Sequence, residues 1–150
     1  MSTPHTLSAL YQTVVQSELG FVARIDDDGD VVFRHPDMGI MYFSLSESDP
    51  EFLRLVYPSF MEANDLHVSR TQLLDIISAV NNGSKAVKLT LQDDQEGKPG
   101  RVSASVEGFV AAANTPPDEA LLRGIIARCI SVIRHGVTEL VKASVELRKN

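Results

Sequence analysis

The stretch from Pro116 to the C-terminal end constrains the fold most. Pro116-Pro117-Asp118-Glu119 opens a helix, because proline suits a first helical turn and carboxylates suit the positive end of the helix dipole. Beyond it, Leu122, Ile126, Cys129, Ile133, Leu140 and Leu147 fall within one stripe at ~100° per residue. Ile125, Ile130, Val132 and Val137 flank the stripe, and Val141 and Val145 lie farther round toward a polar side marked by Arg128, His135, Thr138 and Lys142. So long a helix with so broad an apolar surface needs something to lie on. The surface is wider than one sheet requires, so the extra flank packs on another helix of the chain, buries against a second copy, or meets a different partner.

The remaining segments supply the sheet. Leu7, Leu10, Tyr11, Val14, Val15 and Leu19 recur at three-and-four spacing from Thr6, and Gly20 stops that helix. Phe21–Ile25 and Val31–Arg34 flank the turn Asp26-Asp27-Asp28-Gly29-Asp30, which predicts a hairpin, and Ile40–Leu45 adds a third strand. Asp49 to Phe60 is open between a short helix, started at Pro50 and ended by Pro58, and an irregular strand. Ser69 with Gln72 has capping-box spacing before Leu73, Leu74, Ile76, Ile77 and Val80, and Asn81-Asn82-Gly83 ends that second helix. Ala86–Leu91 alternates with period two, Asp93–Gly100 is a polar turn, and Val102–Ala111 returns as a strand with Val102, Ala104 and Val106 on one side. The order is α-βββ-α-ββ-α, with no repeat and no linker long enough to separate domains, so residues 1–150 are expected to form one α+β domain. It is a two-layer sandwich in which helices, the first and last among them, pack on a twisted antiparallel sheet.

Composition narrows the function classes. The 150 residues are 43% hydrophobic and 23% charged, and a net charge of −6 opposes binding to a phosphate backbone. The charge is uneven, −8 over residues 1–117 and +2 over residues 118–150, so a local basic stripe stays possible. No apolar run approaches the ~20 residues of a membrane span, and Met1–Gly20 has neither the basic region nor the apolar core of a signal peptide. The single Cys129, in an apolar run, reads as a small buried hydrophobe in a reducing compartment. A cytoplasmic protein without membrane insertion is expected.

Motifs for chemistry fail on spacing. If Gly29 held the sixth position of a calcium loop, Arg24 and His35 would fall where the first carboxylate and the bidentate glutamate belong, so the acidic run is read as a solvated turn. His5, His35, His67 and His135 share no i, i+3 or i, i+4 spacing, and each is expected on the surface. Asn81-Asn82-Gly83-Ser84-Lys85 follows a helix end rather than opening a helix, so it is no phosphate loop. No nucleophile elbow, Cys-His context or paired carboxylates emerge. A non-catalytic protein without cofactor or metal is expected.

The run Asp49-Pro50-Glu51-Phe52-Leu53-Arg54-Leu55-Val56-Tyr57-Pro58-Ser59-Phe60, then a helix ending Val80-Asn81-Asn82-Gly83-Ser84-Lys85, then Val87-Lys88-Leu89, resembles the bacterial YbjN-type family of sensory-transduction regulators. Members of that family resemble type III secretion chaperones in fold. The resemblance covers most of the chain from about Phe21, implies a twisted antiparallel sheet with helices against it and often a dimer, and carries over no catalytic residue. The expected function is protein interaction, chaperone-like or as a regulatory adapter, with a protein segment bound on the sheet or helix surface. Acidic turns would select basic flanks of that segment. Phe52, Leu55, Tyr57, Phe60, Val141 and Val145 are the contact candidates. The alternative is a sensor or enzyme with a pocket between sheet and helices, anchored by Arg34, His35 or Arg101.

Overall fold

The computed structural model describes residues 6–92 and 100–149, so His5 and the turn over residues 93–99 lie outside the described residues. Among the described residues, three α-helices, α1 (Thr6–Leu19), α2 (Arg70–Gly83) and α3 (Glu119–Arg148), accompany six strands, β1 (Ala23–Ile25), β2 (Val31–His35), β3 (Gly39–Phe43), β4 (Phe52–Glu62), β5 (Val87–Gln92) and β6 (Arg101–Phe109). The strands form one antiparallel sheet of order β1-β2-β3-β4-β6-β5. The α+β layout is therefore the expected one, with a strand added. The segment left open between helix and strand is β4, so four strands precede α2. Pro58 is accommodated inside β4 by an irregularity: Ser59 adopts φ 45° and its amide donates to Ser103 Oγ at 2.8 Å.

Contacts gather the chain into two compact units, residues 1–56 with 106–130 and residues 57–105 with 131–150. In the first, α1 packs on β1 and β2. Tyr11, Val14 and Val15 of α1 are fully buried, as are Val31, Met41, Phe43 and Leu55 on the sheet face below. The Tyr11 ring meets Phe43 at 5.1 Å. From α3, Arg123 reaches back to Ser17 and to Glu18 at 3.3 Å on α1, and Leu122 and Ile126 are completely buried. Asp118 caps α3, its carboxylate accepting from the Leu121 amide at 3.3 Å, so the helix begins two residues beyond the Pro116-Pro117 pair. The β1–β2 turn closes with Gly29 at φ 85°, a region glycine enters without steric penalty. Asp26 Oδ1 there accepts from the amides of Asp28 and Asp30 at 3.0 and 2.9 Å.

In the second unit, α2 lies along β5. The capping box at Ser69 and Gln72 forms as expected, with both reciprocal bonds in place. Leu73, Ile76, Ile77 and Val80 are buried, whereas Leu74 is 43% exposed. Gly136 of α3 sits against Val87, where an added Cβ would come within 2.8 Å of Val87 Cγ2. Removing the side chain lets helix and strand approach closely.

Candidate functional site

In the first unit the sheet buries one face under its helices and leaves the other largely open, with Val56 buried on it. Register fixes which residues share the open face. Arg24 lies opposite Val32, Val32 opposite Tyr42, and Tyr42 opposite Val56, so one row crosses four strands; Arg34 lies opposite Ile40 in a second row. Two residues along from Val56, alternation puts Arg54 and then Phe52 on the same side. Arg54 pairs with Glu107 at 3.0 Å, and Phe52 meets Phe109 edge-on at 5.6 Å, which brings the end of β6 into this surface. Main-chain bonding from the Val110 amide to the Glu51 carbonyl at 2.8 Å holds the two strands together there.

The composition of this face is unusual for a solvated one. Open faces of antiparallel sheets ordinarily read polar, yet Val22 is 86% exposed, Phe109 79% and Ile40 47%. Val32 and Tyr42 are half-buried near Val22 and Ile40, and Phe52 is half-buried beside Phe109. Val31-Val32-Phe33 and Ile40-Met41-Tyr42-Phe43 lack clean alternation for this reason: apolar residues fall in both phases there, as do Phe21 and Val22 just ahead of β1. A shallow depression of about 280 Å³ opens between Val22, Arg24, Val32, Arg34 and Ile40. Arg24 and Arg34 have no ion pair or hydrogen bond among the described residues, unlike Arg54, Arg101 and Arg123. The face is apolar with an unneutralised positive corner.

The edges of the sheet are closed differently. At β1, Gln12 Nε2 donates to the Ala23 carbonyl at 2.9 Å and Gln16 Oε1 accepts from the Ala23 amide at 3.2 Å. At β5, Asn81 does both tasks alone, accepting from the Leu89 amide at 2.8 Å and donating to the Leu89 carbonyl at 3.0 Å. A helix amide thus occupies the backbone groups that an incoming strand would need.

The residues singled out from sequence divide accordingly. Phe52 lies on the open face. Leu55 points to the opposite side and is fully buried, so it offers nothing to a partner: its place one residue out of phase with Arg54 sends it into the core. Tyr57 and Phe60 belong to the second unit, where their rings stack at 4.8 Å and 9° and both are half-buried. Burial pushes the Tyr57 hydroxyl pKa up. On α3, Val141 is 36% exposed and Val145 half-buried. Arg34, named only as an anchor of the alternative pocket, lies on this face, and Val22, Arg24, Ile40 and Phe109 were missed as surface residues, although the apolar residues in both phases around β2 and β3 were the signal.

His35 corrects its surface assignment. It continues the inward phase of Val31 and Phe33, is 8% exposed, packs edge-on to Phe21 at 5.3 Å, and its Nδ1 accepts from the Asp37 amide at 3.1 Å. His67 and His135 are exposed. Arg34 and His35 therefore face opposite sides of β2, and Arg101, in the second unit, pairs with Glu62 at 3.2 Å. Asp26, Asp28 and Asp30 bring one carboxylate oxygen each within 4.8 Å of the others, but Asp26 Oδ1 accepts from the Asp28 and Asp30 amides and Asp30 Oδ1 accepts from the Leu45 amide at 3.0 Å, which gives two of the three a turn-closing task. Cys129 is buried, which pushes its thiol pKa up to about 11. No described helix is long and apolar enough to cross a membrane.

A six-stranded antiparallel sheet with three helices and an open apolar face defines the class: an α+β protein whose distinguishing surface is a platform. Neither a protein-family model nor a curated protein sequence matches the chain. Among solved structures, the crystal structure of YbjN from E. coli, a candidate transcription regulator, superposes with a TM-score of 0.61, covering 94% of this chain and 92% of that one at 14% identity. The YbjN resemblance read from the residues thus holds at the level of the fold.

Proposed function

We propose that the protein is a non-catalytic cytoplasmic interaction domain, working as a regulatory adapter or chaperone that binds a segment of another protein. The observation that carries this reading is the open sheet face of the first unit, where Val22 and Ile40 stand exposed near half-buried Tyr42 and, farther along the strands, Phe109 stands exposed against half-buried Phe52. Exposed apolar groups of this kind on an open sheet face mark a surface that a partner covers. YbjN is itself described as a candidate regulator, which accords with such a role. The absence of a recognisable nucleophile–base pair in the sequence favours binding over catalysis.

The test is affinity capture from lysate of the native organism, followed by reconstitution with the purified candidate. A Val22→Ser/Ile40→Ser/Phe109→Ser variant should lose the partner, while Val141→Asp/Val145→Asp, which alters the outer flank of α3, should retain it. Loss only with the α3 variant would move the interface to that helix. Equal retention by both variants would refute a docking role for the sheet face. A second reading rests on a depression of about 480 Å³ in the second unit, lined by His135, Glu139 and Lys142 beside the end of α2. A small ligand there at 100 times its Kd would stabilise the protein by about 2.7 kcal/mol, which a thermal-shift screen would register.

A further inference from the structure

We infer that the occupant of the open face is an extended, acidic segment of a partner protein, with two carboxylates two residues apart and apolar residues beyond them. The inference rests on the reading of this face as an interaction surface and adds the chemistry of what it takes. Arg24 and Arg34 are both exposed, both without an ion pair or hydrogen bond among the described residues, and both line the same depression. Arg24 pairs with Val32, and Arg34 lies two residues beyond Val32 on the same face, so the two arginines are diagonal neighbours. Diagonal Cβ positions on adjacent antiparallel strands lie roughly 7–8 Å apart. In an extended segment, side chains at i and i+2 are about 7 Å apart and point the same way. An acid-x-acid step therefore matches the two guanidiniums, each of which can take a carboxylate bidentately.

The surroundings narrow the occupant further. Val22, Val32 and Ile40 wall the depression, and Tyr42 continues it across the sheet, so residues flanking the acids should be apolar. The segment lies on the face and does not extend the sheet, because Gln12 and Gln16 already hold the amide and carbonyl of Ala23 on the β1 edge. The net charge of −6 opposes an acidic segment at long range, so selection for acidic over basic segments rests on Arg24 and Arg34 at contact distance in the depression. The expectation that acidic turns choose basic flanks gives way here because the depression is lined by Arg24 and Arg34 and by none of the carboxylates of the turn over residues 26–30. A second copy of the chain laid on the same face would bring four unpaired arginines together.

The experiment uses the full chain and two fluorescein-labelled synthetic peptides, one with a Glu-Ser-Glu centre flanked by leucine and phenylalanine, the other with Lys-Ser-Lys in its place. Fluorescence anisotropy at low salt should show binding of the acidic peptide only. Arg24→Glu/Arg34→Glu should weaken it at least tenfold, as loss of charge-assisted hydrogen bonds requires, and should gain affinity for the basic peptide. Circular dichroism confirms that this exposed-site variant is folded. Binding of both peptides equally, with both lost in Val22→Ser/Ile40→Ser/Phe109→Ser, would overturn the acidic inference and leave the interaction surface standing. Binding of neither peptide would overturn the inference, and capture experiments with the same triple variant would then decide the broader reading separately. Tighter binding of a single-stranded oligonucleotide, or self-association abolished by Arg24→Glu/Arg34→Glu, would also overturn it by assigning a different occupant.

Discussion

Replacing Tyr11 by phenylalanine should stabilise the protein. Tyr11 is completely buried, its ring rests against Phe43 at 5.1 Å, and its hydroxyl has no hydrogen-bond partner among the described residues. An unsatisfied buried polar group costs about 1–3 kcal/mol. Phenylalanine keeps the ring contacts and removes the orphan group, while the void left by one oxygen takes back a few tenths of a kcal/mol at about 24 cal/mol per Å³. The net gain is about 1–2 kcal/mol, and with a urea m-value of about 1–3 kcal/mol/M it should raise the unfolding midpoint by about 0.3–2 M. A midpoint that falls by the equivalent of 1 kcal/mol or more at unchanged m would refute the reasoning and mean that the hydroxyl is bonded. The alkaline limb provides a second check. Desolvation, with the neighbouring Cys129 thiol, raises the folded-state pKa of Tyr11 above its ordinary value near 10. Below about pH 10 both states hold the phenolic proton, whereas above it the unfolded chain releases the proton first. Stability is therefore full below the unfolded pKa and falls as pH rises, by about 1.4 kcal/mol per pH unit from this group. Cys129 acts with the same sign from about pH 9 to about 11. Tyr11→Phe should flatten the decline above pH 10 and leave the Cys129 contribution in place.

Asn81→Ala should cost about 1–3 kcal/mol by leaving the amide and carbonyl of Leu89 without their partner; because it also frees the β5 edge, sedimentation velocity should show concentration-dependent self-association absent from the parent. Gly136→Ala should destabilise by about 1–3 kcal/mol through overpacking against Val87, while Gly124→Ala, whose Cβ meets nothing within 4 Å, should stabilise by up to about 1 kcal/mol from helix propensity; equal effects in thermal melts would contradict the close approach. Cys129, with its thiol pushed up to about 11 and buried, should resist alkylation at pH 8 until denaturant is added; rapid labelling of the native protein would refute its burial.

Elements with local causes were legible in the residues. The Ser69 capping box, the Gly29 turn and the stripe of α3 depend on neighbours a few positions away, so spacing alone identifies them. Pro58 misled to a degree, since within four residues it signals a break, yet Ser59 absorbs the disturbance by bonding to Ser103, 44 positions along the chain. His35 was misplaced for the same reason: the proline beside it suggests a turn surface, whereas its phase on β2 carries it inward beside Phe21. Of the residues chosen as contacts, Phe52 lies on the open face, whereas Leu55, chosen with it, is core.

By itself the sequence determined the alternation of helix and strand, the acidic balance of charge and the spacing on which each reactive motif fails. Those properties follow from propensity, periodicity and charge, which are sums over local terms. Only the tertiary structure decided that Arg24, Arg34, Ile40, Phe52 and Phe109 share one open face, and that Gln12, Gln16 and Asn81 close the sheet edges. Strand register sets both outcomes, and a shift of one residue would exchange every inward and outward side chain. Register is a pairing between distant segments, so no window along the chain contains it.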